Sequence, residues 1–238
     1  VPADWLFGTQ FAHRGLHGPG VPENSLPAFA AAMERGMGIE CDIQRSADDA
    51  AMVFHDWELE RLTGEKGLTA ARSAQELRQL SLLGTKAHPP TLSELLELVA
   101  GRTPLLIEIK SRQGYDVARS CQSVADCLRG YSGPAAVMSF DPRAPRWFAR
   151  HAHRVLRGLV VTEEGARGFA GLVRRHLAWR HSRAQFLAYD VRDLPSSFAA
   201  RKRSLGVPVL TWTVRSAETR ETAHANADSP IAEGPGVV

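Results

Sequence analysis

Two kinds of apolar pattern take turns along the chain. Short runs rich in Val, Ile, Leu and Phe, of a length that suits a buried strand, occur at residues 10–14, 38–44, 51–56, 104–110, 135–140, 156–161, 186–190 and 207–214. Longer stretches at helical spacing lie between most of them, at 25–35, 91–99, 115–129, 143–150, 163–179, 196–204 and 216–225. The helix at 91–99 carries its own start signal, because Thr91 with Glu94 three residues later forms a capping box. Residues 38–44 and 51–56 are joined too tightly for a crossover helix, so the segment between them reads as a turn between neighbouring strands. About eight strands with mostly βα alternation predict a single α/β domain over residues 1–238, a (β/α)8 TIM barrel with a short insertion at 57–90 after the third strand, its active end at the strand C-termini. The alternative is a doubly wound open sheet. The first strand, however, is followed by HRGLHGPG, which has neither GxGxxG nor GxxxxGK spacing.

Composition narrows the picture. With 44% of its residues apolar the chain can bury a substantial core, which excludes a disordered protein. Lys and Arg number 29 against 26 Asp and Glu, too small an excess to point to nucleic acid as a partner. The charge is unevenly spread, with residues 141–220 holding 16 Lys and Arg against 6 Asp and Glu. These arginines are scattered over predicted helices, as on a solvated surface; contact with an anionic surface is the alternative. No stretch approaches the roughly 18 to 20 apolar residues that span a bilayer, so stable membrane insertion is not expected. The three cysteines, Cys41, Cys121 and Cys127, suggest no disulfide framework and a reducing, cytoplasmic setting.

Polar residues collect where a barrel enzyme needs them. His13 and Arg14 end the first strand, Glu40 and Asp42 lie on the second, and His55 and Asp56 end the third. Alternation on an extended strand turns Glu40 and Asp42 to one face and Ile39 and Cys41 to the other. The fourth strand repeats the device, with Glu108 and Lys110 on one face and Ile107 and Ile109 on the other. Like charges on one inward face repel unless a cation, a proton or a basic side chain intervenes. Three carboxylates with no Cys or His at ligand spacing suit one hard divalent cation, Mg2+ or Ca2+, rather than zinc. His17, His88, His151, His153, His176, His181 and His224 fit no ligand spacing and read as solvated or helix-face residues.

In order along the chain stand His13-Arg14-Gly15, Pro22-Glu23-Asn24-Ser25 with Ala28-Phe29, Glu40 and Asp42 with Asp48, Val53 with His55-Asp56, Arg61 with Thr63-Gly64, Thr91-Leu92-Ser93-Glu94, and Glu108-Ile109-Lys110. This series resembles the motifs of the glycerophosphodiester phosphodiesterases, a family within the PLC-like phosphodiesterase TIM barrels. Ser139-Phe140 and Trp212-Thr213-Val214 extend the resemblance. The end of the chain departs from the family pattern, with Arg215, Ser229, Pro230 and Glu233 where Asn, Gly, Ile and Asp are usual.

The resemblance implies hydrolysis of a small-molecule glycerophosphodiester to glycerol 3-phosphate and an alcohol. It implies that Glu40, Asp42 and Glu108 hold one divalent cation, that Arg14 and Lys110 bind the phosphoryl group, and that His13 and His55 act as general base and acid. Glu23 and Asn24 have two readings, support of the site or, for Asn24, the cap of the following helix. Asp56 either orients an imidazole or caps a turn. Trp212 either contacts glycerol carbons or is a buried barrel aromatic. Two alternative functions stand beside the first: a lysophospholipase D acting on lysophospholipids, and a non-catalytic barrel that binds a phosphate ligand.

Overall fold

A computed structural model describes residues 3–238. The chain divides into two compact units, one of residues 12–134 and one of residues 135–238 with the N-terminal residues through Phe11. Strand β1 (Phe11–Ala12) opens the βα series. In the unit of residues 12–134, α1 (Leu26–Glu34), β2 (Gly38–Arg45), β3 (Ala51–Val53), α2 (Glu60–Thr63), α3 (Ala74–Leu77), α4 (Leu92–Val99), β4 (Leu105–Ile109) and α5 (Val117–Leu128) follow in order.

Strands β2 and β4 are parallel, with Cys41 opposite Ile107 and Asp42 opposite Glu108. Opposed residues of a parallel pair point the same way, so the alternation expected from the sequence places the acidic positions of both strands side by side. Strand β3 differs from expectation. It runs antiparallel to β2, with Ile43 opposite Val53 and Arg45 opposite Ala51, and is a hairpin arm rather than one of the parallel strands. The five residues between β2 and β3 permit nothing else.

Local signals explain the helix starts. Thr91 and Glu94 form the expected capping box on α4, each side chain bonding the other's backbone N–H. Ser25 rather than Asn24 caps α1, its Oγ accepting from the Ala28 N–H at 3.3 Å. The insertion at 57–90 has its own small core, in which Leu59, Leu62, Leu77 and Leu82 pack on Met52 and Phe54. Thr69 ties it to the end of β3 by donating to the Asp56 carbonyl at 3.1 Å.

The other unit holds β5 (Ala135–Ser139), α6 (Arg143–His151), β6 (Leu156–Val161), α7 (Phe169–Ser182), β7 (Phe186–Asp190), α8 (Ser197–Ser204), β8 (Val209–Val214), α9 (Ala217–Asn226) and β9 (Ser229–Ala232). Its five strands pair in chain order and all in parallel. Leu159, Val161, Leu187, Tyr189, Phe198 and Val209 fill a core between strands and helices. Strand β9 is absent from the sequence reading, because four residues containing a proline carry almost no strand signal of their own; pairing with β8 makes the strand. Helix α7 starts later than expected, at Phe169. Gly165 at φ 65° lies in the left-handed region and keeps 163–168 out of the helix.

Gly15 shows how closely the first turn is built. At φ 78°, a methyl group there would stand 2.9 Å from the Ala28 backbone and from the Phe29 ring. Gly15→Ala is therefore expected to lower stability by about 1–3 kcal/mol, read as a fall in the thermal unfolding midpoint. An unchanged midpoint would show that the turn yields.

Candidate active site

The unit of residues 12–134 gathers all but one of the site residues expected from the sequence; Trp212 alone lies in the other unit. On β2 and β4, Glu40, Asp42 and Glu108 are buried, and a ligand oxygen from each lies within 4.8 Å of the others. The register of the two strands dictates this, since Asp42 is the parallel partner of Glu108 and Glu40 lies two residues back on the same face.

Cations and dipoles crowd around the three carboxylates. Lys110 Nζ lies 2.8 Å from Asp42 Oδ1 and 2.7 Å from Glu108 Oε1. Arg14 Nε forms an ion pair with Asp42 Oδ2 at 3.2 Å, and its backbone N–H donates to Glu40 Oε2 at 3.0 Å. Asn24 donates through Nδ2 to Asp42 Oδ2 at 2.9 Å and accepts the Asp42 N–H at 3.3 Å, so its side chain bonds Asp42 and does not cap α1. Arg14 and Asn24 sit at φ 56° and 52°, a conformation non-glycine residues seldom take. A hydrogen bond from Asn24 N–H to the Arg14 carbonyl, 2.9 Å, fastens the two strained positions together.

The electrostatics follow from burial and neighbours. Burial opposes ionisation of Asp42, but Lys110 and Arg14 overcome it and hold the carboxyl well below the usual range. Glu40 goes the other way: burial, then the charges of Asp42 and Glu108, push it well above the ordinary value, and the nearby Arg14 offsets only part of this. Lys110 stays protonated, because the two carboxylates outweigh its own burial.

The chain's own cations thus leave Glu40 short of positive charge. Three buried oxygen donors, within reach of one another and with charge uncompensated, fit a hard divalent cation; nitrogen and sulfur donors are absent from this trio. Glu40, Asp42 and Glu108 would hold it, with Asn24 fixing the Asp42 carboxylate from behind.

His55 follows β3 at the edge of the same site. Its Nδ1 is 2.6 Å from Asp56 Oδ1, so Asp56 orients the imidazole. Sequence reasoning did not weigh Arg61 as a site residue, although it stands in a quoted motif. Its guanidinium bonds Asp56 Oδ2 at 2.5 Å and both oxygens of Glu23 at 2.9 and 2.7 Å, while Glu23 Oε1 also accepts from Arg14 Nη1 at 2.8 Å. One line of ion pairs therefore runs from Arg14 through Glu23 and Arg61 to Asp56, which hydrogen-bonds His55. Burial would raise the Glu23 and Asp56 carboxyls, and their arginine partners hold both below the usual range. Gln44, next on the acidic face of β2, was also missed; it donates to the His55 carbonyl at 3.1 Å. His13, directly after β1, is buried.

Beside His55 and Lys110 opens a cavity of about 620 Å³, lined also by Trp57, Glu58, Glu60 and Arg112. Trp212 on β8 donates its indole N–H to the Ala188 carbonyl at 2.9 Å and packs edge-on against Phe140.

The fold matches a solved structure, that of an Oleispira antarctica phosphodiesterase in complex with the product sn-glycerol-3-phosphate. The TM-score is 0.82 at 22% identity, over 95% of this chain and 93% of that one, which identifies the fold as a (β/α)8 TIM barrel. A glycerophosphodiester phosphodiesterase of Caldanaerobacter subterraneus is 28% identical over 94% of this chain and 93% of its own length. One from Bacillus altitudinis is 38% identical over 111 residues, 42% of this chain and 43% of that one. Residues 13–229 match the glycerophosphoryl diester phosphodiesterase family. The chain belongs to that family, and it is a hydrolase.

Ser25 and Asn24 are adjacent yet serve different ends, and two substitutions separate them. Asn24→Ala should weaken Ca2+ or Mg2+ binding by about 10-fold to 100-fold. Ser25→Ala should cost about 1 kcal/mol of stability with metal affinity unchanged. Calorimetric titration of each variant, together with its unfolding midpoint, checks both.

Proposed function

We propose that the protein hydrolyses glycerophosphodiesters to glycerol 3-phosphate and an alcohol, with a divalent cation at Glu40, Asp42 and Glu108. The observation that carries this reading is the buried carboxylate trio flanked by Lys110, Arg14 and the His55–Asp56 pair. When bound, the cation supplies Lewis-acid polarisation of a phosphoryl oxygen and neutralises its charge. Arg14 and Lys110 add positive charge around the phosphoryl group, where negative charge grows as the bond to the nucleophile forms.

His13 takes the proton of the attacking hydroxyl, from water or the neighbouring glycerol hydroxyl. His55 returns a proton to the departing alkoxide, a poor leaving group without it. With Nδ1–H donated to Asp56, Nε2 of His55 is the atom that carries the transferred proton. Arg61 keeps Asp56 ionised and in place. The alcohol leaves on the side of His55, toward the cavity of Trp57, Glu58, Glu60 and Arg112. The charged groups of Glu58, Glu60 and Arg112 on that wall favour a small polar headgroup over an acyl chain. Several apolar side chains of the insertion, Leu59, Leu62, Leu77 and Leu82, are buried in its own core.

Three measurements test the reading. EDTA should abolish release of glycerol 3-phosphate and Mg2+ or Ca2+ restore it; full turnover in metal-free protein would sink the proposal. His13→Ala and His55→Ala should each lower kcat by about 100-fold or more while metal binding is retained. If either variant instead lost the ion and recovered full turnover in excess metal, that histidine would be a ligand and not a proton carrier. Below the micelle concentration, kcat/KM should be higher for glycerophosphocholine or glycerophosphoethanolamine than for their monoacyl counterparts. A preference of about tenfold for the acyl substrates, or 1.4 kcal/mol of transition-state binding, would favour the lysophospholipase D reading.

A further inference from the structure

Helices α6, α7 and α8 together contain nine Lys and Arg and not one Asp or Glu. They stand side by side: Arg146 of α6 donates to the His181 carbonyl of α7 at 3.2 Å, and on α8 Lys202 lies 4.8 Å over the Trp179 ring of α7. Arg175 is buried against Glu163 at 2.8 Å, and Arg203 pairs with Asp228. Arg150, Arg174, Arg180 and Arg201 are exposed, with no ion pair among the described residues.

Through this basic field runs an apolar stripe. Phe169, Val173 and Leu177, four residues apart on α7, share one face and are 82%, 40% and 60% exposed. A water-facing stripe of this kind gains nothing from the fold, and Phe169 is more exposed than any other large apolar side chain among the described residues.

We propose that the α7 face, with the flanking arginines of α6 and α8, docks peripherally on the surface of an anionic phospholipid bilayer. Apolar side chains along a helix bordered by arginines are what such an interface selects: the stripe enters the headgroup boundary and the guanidinium groups meet the phosphates. Charge decides against the other occupants. A second copy of the chain, meeting the first through the same patch, would set the basic residues of α6, α7 and α8 against their own copies. A nucleic-acid backbone would engage the arginines and leave Phe169, Val173 and Leu177 without a partner. Docking here is reversible and superficial, since no helix among the described residues is long and apolar enough to cross a membrane. It is independent of the reading of the active site.

Co-sedimentation of the full chain with vesicles tests it. Vesicles of equimolar phosphatidylglycerol and phosphatidylcholine should retain the protein in a salt-sensitive way, and phosphatidylcholine alone should not. Two double variants, Arg174→Glu with Arg180→Glu and Phe169→Ser with Leu177→Ser, should each lower partitioning by about fivefold or more. Turnover of a soluble phosphodiester and the unfolding midpoint should both be unchanged. If the apolar pair unfolds the protein, Phe169→Ser alone takes its place. Failure to bind anionic vesicles, or equal binding to neutral ones, overturns the proposal. So does loss of binding in the arginine variant with full binding in the apolar one, which would mark a general polyanion site. A concentration-dependent dimer that Leu177→Ser dissociates would overturn it in favour of self-association.

Discussion

Three carboxylates held within 4.8 Å of one another in a buried site are the constraint around which the unit of residues 12–134 is arranged. Carboxylates so placed repel strongly, and the repulsion grows as water is removed. The β2–β4 register brings them together, and only a one-residue slip of a strand, which would turn Ile39 and Cys41 to the same face in exchange, would move them away. Their surroundings answer the repulsion piece by piece. Lys110 bridges two carboxylates, Arg14 approaches a third from the HRG turn with its backbone N–H, and Asn24 fixes Asp42 on both its side chain and its backbone. Burial and its two acidic neighbours drive Glu40 toward protonation, and Arg14 offsets only part of this. The strained φ angles of Arg14 and Asn24 belong to the same account, because only that backbone delivers these donors to that place.

A second device links Arg14 to His55, just after β3. Arg61 joins Glu23, which also holds Arg14, to Asp56, which holds His55. The arginine rides on α2, and α2 is fixed by Leu62 in the core of the insertion. Packing in the insertion therefore reaches the imidazole through the Arg61–Asp56 ion pair and the Asp56–His55 hydrogen bond. In the other unit buried polar groups serve the scaffold instead. Glu163 accepts from the Tyr189 and Ser196 hydroxyls and pairs with Arg175, which clamps the loop before α7 onto the ends of β6 and β7. Gly171 permits the close approach, since a side chain there would collide with the Ala166 carbonyl.

Much of this was legible in the sequence, and the legible part is local. Alternation of Ile39, Glu40, Cys41 and Asp42 and of Ile107, Glu108, Ile109 and Lys110 told which side chains share a face, because a strand has a period of two wherever it lies. The Thr91–Glu94 cap was written three residues apart. Motif order gave the histidines, the basic residues and the acidic trio, and their assembly in one unit, apart from Trp212, needed the fold only to bring strands into register.

Tertiary structure alone decided what depends on partners remote in sequence. That 51–53 is a hairpin arm and 229–232 a parallel strand follows from which neighbour each pairs with, and a proline-bearing run of four residues has no preference strong enough to announce it. Asn24 or Ser25 could each have capped α1; contact with Asp42, 18 residues away, settled the choice. Arg61 finds Glu23 across 38 residues, a separation that no periodicity reports. The same holds for the surface: the sequence shows arginines between apolar residues on α7, but which apolar residues turn inward depends on what the strands and α8 already cover. Local spacing fixes direction along an element, whereas charge compensation and exposure are properties of distance, and only the folded chain has distances.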